Sequence, residues 1–322
     1  MRKRLLILFL AFVCPQASGQ ELQDDPKTAA GVNLLQDLPL GLSQRARIGD
    51  AIKTRNFREA EKLLLEEIEK TPSSPQLLTF VANVLFLDRE YLNTAIALKK
   101  AEALAPLSDR DRFLLAMAYV TLDRRAWARP ELEKLANANP RHPLYPYWLA
   151  RLDYDDQHFS SAVAHLQKVL ELDPAYMKAY DNLGLCYDAL GKHEEAYKSY
   201  QEANRLNRQK SPSSPWPPLN QASLLLKLGK LEEAEASLKE SLKYQPKFPQ
   251  AHYHLGMLLE KQKKFPEAVQ ELKQATEADP SYPEPHYALG RIYRSLGDIQ
   301  NSEVALSTFE KLKKEKRPDH RR

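Results

Sequence analysis

The chain has 322 residues, 43% of them apolar and 28% charged, with a formal net charge of +4. That is the composition of a folded chain, long enough for two compact domains or one elongated array. Ten glycines against 22 prolines argue against a turn-rich β fold and a phosphate-loop enzyme, and two cysteines exclude a disulfide framework.

At the N-terminus Arg2, Lys3 and Arg4 precede nine apolar residues, Leu5 to Val13, and the small residues Ala17, Ser18 and Gly19 follow. A basic head, an apolar middle and a small-residue end in that order read as a secretory signal peptide over residues 1–19. Export to a periplasm or to the exterior is therefore expected. Nine apolar residues are too few to span a hydrocarbon core, which takes about 20 in a helix, and no later run is longer, so no transmembrane segment is expected in the mature chain. A lipoprotein signal would need a small residue before Cys14, where Val13 stands. Cys14 is read as part of the removed peptide, with a lipid-anchored envelope factor tethered through it as the alternative. Losing three basic residues lowers the formal charge from +4 to +1, so no basic field aimed at nucleic acid is expected.

Residues 20–40 read as a linker with a short helix around Val32 to Leu38. Beyond them the prolines form a ruler: Pro72, Pro106, Pro140 and Pro174 are each 34 residues apart, as are Pro246 and Pro280. On that ruler repeats begin near Gly41, Pro75, Asp109, Pro143, Met177, Pro215, Pro249 and Pro283, giving repeats one to five over 41–210 and six to eight over 215–316. The eighth position is small in seven repeats, as in Ala82, Gly184, Gly256 and Gly290. The twentieth is small in all eight, as in Ala60, Thr94, Ala196 and Ser302. The twenty-fourth is large: Leu64, Leu98, Leu132, Leu166, Tyr200, Leu238, Leu272 and Leu306. Small columns facing a large one describe two helices in close contact. Apolar spacings of three and four, as in Tyr180, Leu183 and Tyr187, make each half a helix, and the closing proline ends it. One pair cannot bury both its faces, so neighbours must stack. The expected fold is all-α: a right-handed α–α superhelix, or solenoid, of about eight 34-residue helix-turn-helix repeats.

The stretch Tyr180-Asp-Asn-Leu-Gly-Leu-Cys-Tyr187, followed by Gly191, Ala196, Tyr200 and Ala203, resembles the tetratricopeptide repeat family. So does His252-Tyr-His-Leu-Gly256 with Phe265, Ala268 and Pro280, and His286-Tyr-Ala-Leu-Gly290 with Tyr293 and Gly297. The resemblance covers residues 41–316. The first repeat departs most, with Gln44, Arg47 and Ala51 where large apolar residues are usual, and reads as a polar cap.

Four extra residues, an insertion at 211–214, interrupt the ruler in Ser211-Pro-Ser-Ser-Pro-Trp-Pro-Pro218. Either this is a hinge or docking loop carrying Trp216, or it is a tolerated insertion whose tryptophan caps the neighbouring helix. No catalytic constellation, paired zinc cysteines or i, i+4 metal histidines stand out, so neither enzyme activity nor a cofactor is expected, with an unrecognised active site as the alternative. His252 and His286 share the column of Tyr180 and read as core histidines.

The resemblance implies a concave channel, lined by first helices, that binds a peptide segment or partner protein. Transferred position by position, that channel would present Asn83, Phe86, Phe113, Met117 and Val120 from repeats two and three. Repeat four would add Tyr147, Arg151 and Tyr154. Repeats seven and eight would add Tyr253, Met257, Tyr287, Arg291 and Arg294. Aromatic and Met side chains supply adaptable apolar contact and Arg meets carboxylates, which suits a peptide with apolar anchors and some acidic character. Residues 317–322 read as a basic tail.

Overall fold

The computed structural model describes residues 35–315, which hold sixteen α-helices and no strand. The signal-peptide segment, Cys14 and the basic tail lie outside the described residues. The chain divides after Gln157 into two compact units.

The first unit opens with a 3-10 turn, Leu35–Asp37, whose Leu35, together with Leu38 and Leu40, is buried. The end of the segment read as linker therefore packs as a cap beside the first helix. Seven helices follow: α1 (Leu42–Lys53), α2 (Phe57–Lys70), α3 (Pro75–Leu87), α4 (Tyr91–Leu104), α5 (Asp109–Thr121), α6 (Arg125–Ala138) and α7 (Leu144–Asp155). The second unit holds α8 (Phe159–Leu172), α9 (Met177–Ala189), α10 (His193–Asn207), α11 (Trp216–Lys227), α12 (Leu231–Tyr244), α13 (Pro249–Lys261), α14 (Phe265–Ala278), α15 (Pro283–Ser295) and α16 (Ile299–Glu315).

Local chemistry sets the helix starts. Ser74 accepts the Leu77 N–H ahead of Pro75, and Ser108 accepts that of Asp111, so each serine satisfies a donor that the first turn leaves open. The turn inside each repeat carries a residue of positive φ at its fifteenth position. These are Arg55, Arg89, Asp123, Gln157, Gly191, Gly229, Lys263 and Gly297. In repeat seven Lys263 N–H then donates to Glu260 and Lys264 N–H to the Leu259 carbonyl, both at 2.9 Å, which closes the helix C-terminus in a left-handed cap.

Between paired helices the small column meets the large one. A Cβ added at Gly184 would lie 2.3 Å from the Tyr200 ring, and one at Gly256 would lie 2.7 Å from Leu272 Cγ. Leu64, Leu98, Leu132, Leu238 and Leu272 have no exposed surface, so the hollow beside each small residue is filled. The insertion before α11 is tied at its far end. The fully buried Asn207 donates its amide to the Ser214 carbonyl at 2.7 Å and accepts the Ser214 N–H at 2.8 Å. Ser241 donates to the Pro215 carbonyl at 2.8 Å. Trp216 stands edge-on to Phe248 at 4.9 Å, half-buried against the cluster of Leu219, Leu225, Leu238 and Leu255. It packs between helices of neighbouring repeats and keeps part of its surface exposed.

Candidate protein-binding surface

In the first unit the proposed channel residues turn largely inward. Met117 is 0% exposed and Tyr147 only 2%, which corrects their reading as presented side chains. The flexible thioether fills core space, and Trp148 stands edge-on to Tyr147 at 6.0 Å. Asn83 is half-buried and its amide is committed. Its nitrogen donates to the Thr79 carbonyl at 2.7 Å and its oxygen accepts from Arg110 at 3.2 Å. Phe86 lies edge-on to Tyr91 at 5.2 Å and Phe113 is tilted on Tyr145 at 6.0 Å, both half-buried. Arg151 and Tyr154 are half-buried and engaged within the fold, and burial raises the Asp155 carboxyl above its ordinary value despite the opposing charge of Arg151.

The second unit keeps more of its channel residues at the surface. On α13, Tyr253, Met257 and Glu260 stand at i, i+4 and i+7. On α15, Tyr287, Arg291 and Arg294 occupy the positions 34 residues later. Such spacings make two stripes of matched register. Tyr253 and Met257 are half-buried on the cluster formed by Leu272, Leu289 and Ile292. Tyr253 also stands edge-on to Tyr282 at 5.5 Å. Tyr287 is 45% exposed, with its ring 5.1 Å from Phe309 and the Arg291 guanidinium 5.6 Å above it. The Lys313 ammonium lies 5.2 Å over Phe309. Arg291 donates to the Glu260 carboxylate and reaches the Met257 sulfur at 3.9 Å, while Arg294 is exposed. Aromatic faces flanked by cations form a surface suited to apolar and carboxylate groups.

Three members of this surface are absent from the sequence-based set: Glu260, Phe309 and Lys313. Glu260 was legible, since it stands three residues beyond Met257 on the same stripe. Phe309 occupies a column that elsewhere holds small buried residues such as Ala101 and Ala203 but also the large, fully buried Leu135 and Val169, so its size alone carried no signal.

Polar rungs join the first helices elsewhere in this unit. Asn220 donates to both Asp181 oxygens at 3.0 Å, Lys227 meets Asp188 at 2.8 Å, and Lys261 donates to the Leu226 carbonyl at 3.1 Å. His252 lies beneath the surface, with Nδ1 at 2.7 Å from Glu271 and Nε2 at 2.9 Å from the Pro246 carbonyl. Both partners are acceptors, so the doubly protonated ring fits best, and the Glu271 carboxylate raises its pKa. His254 is half-buried without such a partner, and desolvation pushes it down to about 4. Among the described residues no group of three or more His, Cys, Asp or Glu is placed to hold a metal, and no helix is long and apolar enough to cross a membrane.

A family model for the tetratricopeptide repeat matches residues 147–215, 219–283 and 264–319, more than half of the sequence. The chain belongs to the tetratricopeptide repeat family, whose repeats are protein–protein interaction scaffolds. It is similar to the TPR repeat-containing protein YpiA of Bacillus subtilis, with 32% identity over 129 residues. That match covers 40% of this chain and spans under a third, 29%, of that relative's length. The fold is similar to a tetratricopeptide repeat protein from Parabacteroides merdae, with a TM-score of 0.63 and 17% identity over 84% of this chain and 97% of the other. It is also similar to PilW, a type IV pilus biogenesis factor, with a TM-score of 0.57 and 20% identity over 63% of this chain and 92% of PilW.

Proposed function

We propose that this protein is an exported, non-catalytic scaffold that holds a segment of a partner protein on the first-helix surface of its second unit. The observation that carries the reading is the exposed Tyr287 beside Met257, Arg291 and Arg294 on matched stripes of α13 and α15. Large aromatic and guanidinium groups supply much of the energy at protein interfaces, and a folded repeat array presents them without an ordering cost of its own. Export rests on the order of charge, apolarity and small residues over 1–19.

Affinity capture from the exported fraction tests the surface. Partners recovered with the intact protein are expected to be lost with Tyr287→Ala, Met257→Ala, and retained with a Phe113→Ala, Arg151→Ala control in the first unit. Equal recovery by all three proteins would overturn the assignment. Mass spectrometry of the mature N-terminus tests export separately. A start near Gln20 is expected, and lipid on Cys14 would replace the free form with an anchored one.

A further inference from the structure

The charges on the first helices of the second unit are arranged unevenly. Acid predominates on α9, with Asp181 and Asp188 against Lys178, and base on α15, with Arg291 and Arg294 against Glu284 in its first turn. The acids are already met: Asp181 by the Asn220 amide, Asp188 by Lys227 and by His193 Nδ1 at 3.1 Å. The bases are not balanced in the same way. Glu260 is the acid paired with Arg291, and Arg294, about one turn further along α15, stands exposed with no ion pair among the described residues. The Arg291–Glu260 pair is itself partly solvated, with 43% of the arginine side chain and 22% of the glutamate exposed. A pair of that kind is worth little net stability and exchanges partners readily.

We propose that the last repeat reads an acidic residue of the bound segment, whose carboxylate takes the place of Glu260 on Arg291, gains Arg294 as a second donor, and lays its neighbouring apolar group on the Tyr287 ring. Glu260 then acts as a stand-in for the ligand in the empty surface. It keeps Arg291 drawn across Met257 and sets a threshold that only a carboxylate-bearing segment passes. Exchanging one exposed ion pair for another leaves the Coulomb energy nearly unchanged, so the second guanidinium and the aromatic face decide the outcome. A segment without acid leaves Arg291 tied to Glu260, gains neither guanidinium and binds through apolar contact alone, so the difference in affinity comes from the added charge-assisted bonds. This inference rests on the proposed partner-binding surface and adds the chemistry of what it selects.

Selection from a random twelve-residue peptide library displayed on phage, against the full chain, tests it. Peptides retained by the intact protein are expected to be enriched in Asp and Glu next to Leu, Met or an aromatic residue. A selected peptide, resynthesised with a fluorescent label, should bind about tenfold more weakly to Arg291→Gln, Arg294→Gln. It should bind more tightly to Glu260→Gln, and weaken as salt is raised. Gained affinity in Glu260→Gln is a readout that loss of a merely structural ion pair would not produce, and circular dichroism of each variant monitors folding. Peptides that bind without acidic enrichment would overturn the inference while leaving the partner-binding surface intact. So would acidic peptides indifferent to both arginines, or weakened binding by Glu260→Gln. Retention of no peptide above an albumin control would overturn the surface itself, and the inference with it.

Discussion

Repeats seven and eight, which begin at Pro249 and Pro283, share one backbone plan, and their matched residues do different work. Tyr253 is half-buried under Tyr282, whereas its counterpart Tyr287 is exposed and rests on Phe309. His252 is held by Glu271, whereas His286 faces the column where Ala305 replaces that glutamate, which leaves it the Pro280 backbone alone. Leu272 is fully buried over Gly256, whereas Leu306 over Gly290 retains some exposure. Repeat seven uses its side chains to hold itself together, and repeat eight leaves the same positions available for contact. Exposure and polarity of a few side chains on one helix-turn-helix plan separate a structural repeat from a presenting one.

The largest test of that difference lies at the two glycines. A Cβ at Gly256 would meet Leu272 Cγ at 2.7 Å and the Ala268 carbonyl oxygen at 3.3 Å, in a site where Leu272 has no free space. A Cβ at Gly290 would meet Leu306 at 2.7 Å, but Leu306 can yield toward solvent, and the nearest backbone oxygen, that of Ser302, is at 3.4 Å. Overpacking a rigid site costs about 1–3 kcal/mol, against which alanine recovers up to about 1 kcal/mol of helix propensity. Gly256→Ala is expected to lower stability in urea by about 1 kcal/mol net and Gly290→Ala to leave it nearly unchanged. Equal losses would show that the two repeats are equally tight and would break the comparison.

His252 in repeat seven and its counterpart His286 in repeat eight give intermediate effects of opposite sign. The folded state raises the pKa of His252, so its ring binds a proton more tightly folded than unfolded. Its contribution is fully present below the ordinary histidine value near 6.5 and fades as pH rises through the raised value. His286 is lowered by burial, so the fold favours its neutral form and loses stability as pH falls from about 6.5 through the lowered value. His254, pushed down to about 4, acts in the same direction as His286. Replacing Glu271 by Gln is expected to remove about 1 kcal/mol at pH 5.5 and much less at pH 9. Replacing His286 by Gln should leave stability at pH 9 nearly unchanged and flatten its decline toward pH 5. Thermal melts across that range, with ring-proton titration by NMR to assign each residue, decide the matter. A His252 that titrates below His286 would reverse the assignment.

How much of this was legible in the sequence depends on what a column records. The eighth and twenty-fourth positions record volume, and volume is what the helix pairs conserve, so Gly256 facing Leu272 could be read from spacing alone. Exposure is not recorded in the same way. Met117 and Met257 occupy the same register, as do Tyr147 and Tyr253, yet the first of each pair is buried and the second only half-buried. What covers a first-helix residue is set by neighbours that a single column does not contain, such as Trp148 beside Tyr147. Asn83 reads as a free amide until its two hydrogen bonds are seen. Glu260 was visible as an acid but not as the partner of Arg291, because that pair forms between repeats across 31 residues of sequence.

The turn column shows the same limit from the backbone side and supplies the smallest test. All eight fifteenth positions have positive φ, but only three of them are glycine, so sequence suggests three special turns where the fold has eight. The repeats again differ: Lys263 holds φ at 60° in repeat seven, where Gly297 holds 79° in repeat eight. A side chain in the left-handed region is disfavoured by roughly 1–2 kcal/mol, and glycine gives back about 0.5–1 kcal/mol through the entropy of its unfolded chain. Lys263→Gly should therefore stabilise the protein by about 0.5 kcal/mol, and Gly297→Lys should destabilise it by a similar amount. Lys263 is exposed, so the substitution removes no packing. The paired exchange, lysine into repeat eight and glycine into repeat seven, should leave the urea midpoint nearly where it began. A net shift would mean that the two turns carry different strain, and that the backbone as well as the side chains distinguishes the presenting repeat.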